Sequence, residues 1–216
     1  MLVRKTTRKD FLSICRMYAG ARKFMRQTGN LEQWQGGYPS YDMMIADIDS
    51  GNSYVCVNTD NDSADSDRGN TNVNNSNANN NDSNSDSTGA GANGGNAGAD
   101  INQDEIAAVF YFCVEDEPTY NKIGGRWLSD ETYGVVHRLA SSRKIKGAGE
   151  YCMRWCFDMY PNIKVDTHED NAPMRGLLQK LGYEYCGTVW MENGAERRAY
   201  QKIDANTIIS PDNVIQ

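Results

Sequence analysis

The sequence predicts a single α/β (α+β) domain, a mixed and mostly antiparallel central sheet flanked by helices, carrying a long disordered insertion. Three observations predict it. An apolar run, Val135-Val136-His137-Arg138-Leu139-Ala140, leads through a basic glycine turn, Arg143 to Gly149, into a segment with helical spacing. The strand–helix–strand from Val135 to Asp166 predicts a parallel crossover, whereas adjacent strands elsewhere predict hairpins. From Asn58 to Asp104 the chain is almost wholly Asn, Asp, Ser, Gly, Ala and Thr, which buries too little surface to offset its ordering entropy.

That last stretch also dominates the charge. It holds eight aspartates and one arginine, which account for the whole chain's net −7. The other residues carry 21 basic and 21 acidic side chains and are neutral, so the acidic balance describes a solvated loop. Without it roughly 170 residues remain, ample for one core. The stretch lies between two strand-like segments, Ser53–Val57 and Glu105–Val114. It therefore reads as an insertion at a hairpin tip, which loop-closure entropy tolerates. The expected organisation is one domain over 1–204, the insertion at 58–104 within it, and a polar tail at 205–216.

The elements follow in order. Leu2–Thr6 is a short strand. Thr7 or Asp10 caps a helix to about Gln27, with Phe11, Ile14, Cys15 and Tyr18 on one face. An irregular aromatic and amide-rich piece, NLEQWQGGYPS, comes next. Ser40 caps a helix from Tyr41 to about Asp49. Strands Ser53–Val57 and Glu105–Val114 flank the insertion. The segment 116–134 is a connection. Strand Gly134–Ser141 precedes a helix after Gly149 that turns Cys152, Trp155, Cys156 and Met159 inward. Asn162–Asp166 is a strand. Asn171-Ala172-Pro173 opens a helix that buries Met174, Leu177, Leu178 and Leu181 and stops at Gly182. Strands Tyr183–Met191 and Arg197–Ile203 pair around an Asn-Gly turn.

A strand that delivers a basic glycine turn onto a helix start is a phosphate-binding arrangement: glycines admit the anion, N–H groups point at it, and the helix dipole adds positive charge. It would lie at the C-terminal end of a central strand, where open α/β sheets take ligands. The six cysteines all fall in apolar elements and lack a Cys-x-x-Cys pair, so they read as reduced and buried, with no metal site. The N-terminus has no apolar signal core and no run reaches membrane length, which predicts a cytoplasmic protein. His137 reads either as a general base or as a strand histidine satisfied by a backbone group. Glu115, Asp116 and Glu117 either line an acceptor side or form a solvated turn.

Three pieces in this order resemble the GNAT superfamily of N-acetyltransferases, in a bacterial type of unassigned substrate. Lys146-Gly147-Ala148-Gly149-Glu150-Tyr151 lies on the family's pyrophosphate motif, with Lys146 for Arg or Gln and Tyr151 for a small residue. HEDNAPMRGLLQKLGYEYCGTV is similar to its Asn-initiated helix. QWQGGYPSYDMMIADIDSGNSYV is similar to the N-terminal block of many members. The resemblance implies an acetyl-CoA co-substrate and no metal. Leu139, Ala140 and Ser141 would pair with the pantetheine. Lys144, Lys146, Gly147, Ala148, Gly149 and Glu150 would hold the pyrophosphate, and Asn171 would stand near the pantetheine. Gln33, Trp34 and Tyr38 fall in the acceptor loop. Many members protonate the leaving thiolate with a tyrosine where this chain has Leu178; Tyr183, Tyr185 or water is expected to serve instead. The implied activity is acetyl transfer to an amine of a small molecule or peptide by direct attack, with a silent CoA-binding module as the alternative. Neither nucleic acid nor membrane is an expected partner, and sheet edges with Trp190 are compatible with a homodimer.

Overall fold

The computed structural model describes residues 1–59 and 105–204. The expectations for residues 60–104 and for the tail 205–216 lie outside the described residues. Eight strands form one sheet in the order β1-β2-β3-β5-β6-β8-β7-β4. They are β1 Leu2–Lys5, β2 Ser53–Asn58, β3 Glu105–Val114, β4 Ile123–Gly125, β5 Gly134–Ser141, β6 Asn162–Thr167, β7 Glu184–Trp190 and β8 Glu196–Ile203. Four helices accompany them: α1 Phe11–Gln27, α2 Tyr41–Asp49, α3 Ala148–Met159 and α4 Ala172–Lys180. β5 and β6 are parallel and every other pair is antiparallel, as the crossover and hairpin signals require.

Local chemistry sets the helix starts. The Asp10 carboxylate accepts from the Thr7 N–H and hydroxyl at 2.8 and 2.9 Å, so both residues shape the entry to α1 through a 3-10 turn. Ser40 accepts from the Met43 N–H at 3.1 Å and Asn171 from the Met174 N–H at 3.2 Å, each satisfying a donor the helix leaves open. Asn58, which composition assigns to the insertion, is instead the last residue of β2 and pairs with Glu105.

Three details correct the sequence reading. Within the 116–134 connection, Ile123–Gly125 forms β4 and pairs with β7. Glycine is rare in strands, yet here it is required: a Cβ on Gly125 would lie 2.1 Å from the Cys186 carbonyl oxygen. In α3, Met153 is buried while Met159 is exposed, a shift of the buried stripe around the helix. In α4, Leu178 and Leu181 enter the core, but Met174 and Leu177 are only partly buried and border a cleft.

The alternation along each strand builds two faces. On one, Cys56, Phe110, Val136, Ile163, Val165 and Tyr200 pack against α3 and α4. On the other, Val55, Val57 and Val109 pack against α1 and α2, and an aromatic cluster of Tyr120, Trp127 and Tyr133 covers the far half. All six cysteines are free thiols and only Cys15 is not fully buried. Gln201, wholly buried on β8, ties the connection to the sheet: its side chain receives the Leu128 N–H at 2.7 Å and donates to Asn162 Oδ1 at 2.7 Å.

The feature that positions the site is the failure of β5 and β6 to stay paired. Only Gly134 with Ile163 and Val135 with Lys164 are in register. Beyond them a bulge in β5 sets Arg138 and Leu139 opposite Phe110 alone, with Arg138 at φ 54°. The Arg138 guanidinium is fixed by Asp47 of α2 through two bonds of 2.9 and 2.8 Å, which pins the bulge. The two strands part, and the edge of β5 facing β6 is left without strand partners.

Candidate active site

A cleft of about 1110 Å³ runs through this gap. Its lining includes Leu139, Ala140, Ser141, Arg143 and Gly149 at one end and His137, Glu117, Asp166 and Arg197 at the other. The first group has the chemistry of an anion and amide site, the second that of a proton-transfer site.

At the first end, Gly147 precedes α3 with φ 84°, a conformation that suits glycine, and no side chain caps the helix. The N–H groups that open α3 are therefore available to an anion, with the helix dipole behind them. A Cβ on Gly149 would stand 3.7 Å from Leu177 and 4.0 Å from Leu139, so Gly149 lies between the lips formed by β5 and α4. Arg143 places its guanidinium carbon 3.3 Å from the Phe24 ring centroid. Lys144 and Lys146 are exposed beside the turn, and Lys144 pairs with Glu105 at 3.5 Å. The Glu150 carboxylate is taken by Arg154 and Lys180, which leaves only its backbone N–H for a ligand. The open edge of Leu139–Ser141 has the backbone donors and acceptors to pair with an extended amide chain.

Asn171, besides capping α4, donates to Gln33 Oε1 at 2.8 Å. The same oxygen accepts from Asn30 at 2.8 Å, and Gln33 Nε2 reaches Thr167 at 3.4 Å. Gln33 is thus a tie between the α1–α2 loop and the start of α4, in addition to lining the cleft. Trp34 packs edge-on to Tyr18 at 5.7 Å and leans on Tyr38 at 6.0 Å while presenting the rest of its surface to the cleft. The Tyr38 hydroxyl lies 3.4 Å from Arg138.

At the second end, His137 Nε2 bonds the Glu117 carboxylate at 3.0 Å. The hydrogen bond from His137 holds the Glu117 carboxyl down to about 2, against the opposing effect of burial; Thr119 helps with its N–H at 3.2 Å and its hydroxyl at 2.8 Å. An ionised Glu117 orients the imidazole with Nε2–H toward it, which leaves Nδ1 as the basic nitrogen. Across the gap, Asp166 accepts from the buried Tyr120 hydroxyl at 2.8 Å. Cys113, on the same face, donates to Glu115, and burial pushes its thiol up to about 12, so it offers no thiolate nucleophile.

Two sequence candidates lie elsewhere. Tyr183 is buried in the core beside α3 and α4, and its hydroxyl has no hydrogen-bond partner among the described residues. Tyr185 is exposed on β7, packed against Tyr200 and under Arg198. Neither borders the cleft. His168 is spent on a local turn, where Nδ1 accepts from the Asp170 N–H at 3.2 Å. Conversely, Asp166 and Arg197 line the cleft without having been singled out. For Arg197 a signal existed: it shares one face of β8 with the wholly buried Ala199 and Gln201, and an arginine on a buried face is an anomaly.

No protein-family model matches the chain, and no curated protein matches it in sequence. Solved structures do match. A GNAT-family acetyltransferase from Streptococcus agalactiae 2603 superposes with a TM-score of 0.66 at 26% identity, covering 94% of this chain and 95% of that one. A GNAT-family acetyltransferase from Listeria monocytogenes 4b F2365 gives 0.55 at 15% identity, covering 93% of each chain. A chain of the NatC complex bound to Gag peptide and CoA gives 0.51 at 9% identity, covering 94% and 98%. Among the described residues, no group of His, Cys, Asp and Glu could hold a metal ion and no helix is long and apolar enough to cross a membrane.

Proposed function

We propose that this chain, which has the GNAT N-acetyltransferase fold, transfers the acetyl group of acetyl-CoA to an amine. The observation that carries the reading is the parting of β5 from β6, which joins an anion cradle and a histidine–carboxylate pair within one cleft. The similarity to the Streptococcus agalactiae enzyme at 26% identity supports it. The residues present fit CoA: uncapped N–H groups at 147–150 and Arg143 suit the pyrophosphate, with Lys144 and Lys146 adding positive charge nearby. The free edge of Leu139–Ser141 suits the pantetheine amides, with Asn171 at the mouth of α4.

When bound, acetyl-CoA supplies a thioester carbonyl open to attack. The chain's own work is to place an amine beside it and remove a proton. An aliphatic ammonium has a pKa near ~10.4, so under about 0.1% is nucleophilic at pH 7. His137, held by Glu117, takes that proton directly or through a water. A backbone N–H in the Leu139–Ser141 stretch faces the developing negative charge on the carbonyl oxygen. With Tyr183 and Tyr185 outside the cleft, the leaving thiolate takes its proton from water. A thiol of ordinary pKa near ~8.5 needs no stronger acid.

The test is incubation with acetyl-CoA and a panel of amines, following free thiol, alongside the melting temperature with and without CoA. Thiol release above hydrolysis with at least one amine is expected, together with a higher melting temperature. The complete burial of Leu178, which fills with packing the position where many members carry a tyrosine, favours a second reading as a silent CoA-binding module. A CoA-dependent rise in melting temperature with no amine turned over would select it. The same melting curve left unchanged by CoA would refute both.

A further inference from the structure

Arg197 is 8% exposed and lines the cleft. It donates only to two neutral carbonyls, Glu196 O at 2.9 Å and Gln33 O at 3.4 Å. No carboxylate stands within 4.0 Å of it among the described residues, so three of its five N–H donors have no protein partner. Arg138, the other deeply placed arginine of the cleft, is by contrast neutralised by both oxygens of Asp47. A buried charge without an anion is costly, and a protein retains one where a ligand supplies the missing anion.

The surroundings define that ligand further. Asp166 pairs with Ala199 in the β6–β8 ladder, so Arg197 is its diagonal neighbour on the same sheet face, roughly 7–8 Å away. Asp166 and His137 each lie two residues beyond the last β5–β6 pair, on opposite sides of the gap. The acceptor end thus carries one unpaired cation and, a side chain's length away, a carboxylate and a histidine–carboxylate pair. Glu192 and Glu115 also border the cleft. Such a field attracts an ammonium and repels a dianion, while the planar fork of one arginine matches a carboxylate.

We propose that the acceptor is a small free amino acid, its carboxylate on Arg197 and its amine between Asp166 and His137. This rests on the acetyl-transfer reading and narrows it to a substrate class. The ammonium loses a proton to His137, its nitrogen forms the bond to the acetyl carbon, and the carbon–sulfur bond breaks. The thiolate takes a proton, so acetyl-CoA and the ammonium give N-acetyl amino acid, CoA thiol and one H⁺.

The experiment compares free α- and ω-amino acids with their carboxamides and decarboxylated amines. It reads kcat/KM by thiol release and, separately, the rise in melting temperature each compound gives in the presence of CoA. At least one amino acid is expected to exceed its carboxamide by roughly 100-fold in kcat/KM and to give the larger melting shift. Arg197→Gln is expected to bring that ratio close to one, chiefly through KM. An amino acid and its carboxamide equal in both readouts overturns the proposal while leaving acetyl transfer standing. A melting temperature unmoved by CoA overturns acetyl transfer and this proposal together. Should Arg197→Gln fail to fold, the comparison of ligands on the unaltered chain decides.

Discussion

The Arg138–Asp47 pair offers a perturbation whose size follows from the geometry. Both side chains are nearly buried, at 11% and 12% exposure, and two bonds of 2.9 and 2.8 Å join them. Burial alone pushes the Asp47 carboxyl up, and the Arg138 guanidinium opposes that. Arg138→Met keeps most of the apolar stem and the same backbone position while removing the charge. It strands Asp47, at a cost of about 3–5 kcal/mol. In urea unfolding with a slope of about 2 kcal/mol per M, the midpoint falls by about 2 M. The double variant Asp47→Leu/Arg138→Met replaces the pair by apolar groups and should return to within about 1 kcal/mol of the parent. Acidification supplies a further check. A carboxyl whose folded pKa lies above its unfolded one destabilises at high pH, and that penalty is relieved as pH falls through the folded value. The deficit of the single variant should therefore shrink as the pH is lowered from neutral. A single variant within about 1 kcal/mol of the parent, or a double variant as unstable as the two singles summed, would refute the reasoning.

Glu117→Gln tests the histidine–carboxylate pair. The Glu117 carboxyl sits at about 2 against an ordinary 4.5, a depressed value, so its contribution is present above pH 4.5 and is lost as pH falls through 2. That contribution is about 1–2 kcal/mol once solvent screening at a half-buried carboxylate is allowed for. The gap in unfolding free energy between parent and variant should close by pH 2. Tyr183→Phe removes a buried hydroxyl that has no partner; a gain of about 0.5–1.5 kcal/mol in urea, with turnover within about twofold, is expected. A large loss of turnover would restore Tyr183 as a catalytic group. Gly147→Ala forces a side chain into φ 84° and should cost about 1–2 kcal/mol. Gly149→Ala meets only ordinary contacts and should leave urea stability at or above the parent, while calorimetry shows weaker CoA binding.

Periodicity carried most of the architecture. The apolar runs in 105–114 and 134–141, the helical spacing after Gly149 and the Asn-Gly turn at 193–194 are local signals, and the crossover rule converts them into a topology. β4 escaped because two of its three residues are glycines, which are depleted in strands; the pairing is licensed by how closely Cys186 and Gly187 approach. The glycine turn that opens α3 at one end of the cleft was similarly legible, since backbone N–H groups at such a turn are encoded by sequence neighbours. At the opposite end His137 and Glu117 were legible only as separate candidates, and Asp166 and Arg197 were not singled out. His137, Glu117, Asp166 and Arg197 come from four separate elements, and their meeting depends on ladder register. Tyr183 and Tyr185 show the converse: a tyrosine close in sequence to the end of α4 is carried by the turn at Gly182 into the core in one case and to the outer surface in the next.

Gln33 Oε1 has a bearing on how two substrates would find each other. One oxygen receives both Asn30 and Asn171, and with both lone pairs in use it has no spare capacity. The α1–α2 loop and the start of α4 therefore share this fastening, and neither can reorient without releasing an amide of the other. On the acetyl-transfer reading proposed above, a donor pressing on Asn171 and an acceptor seated by Trp34 would then be linked, with the affinity of each depending on the occupancy of the other by the same factor. Under that proposal the two substrates would not add independently, and the double-reciprocal lines for one should cross off the axis as the other is varied.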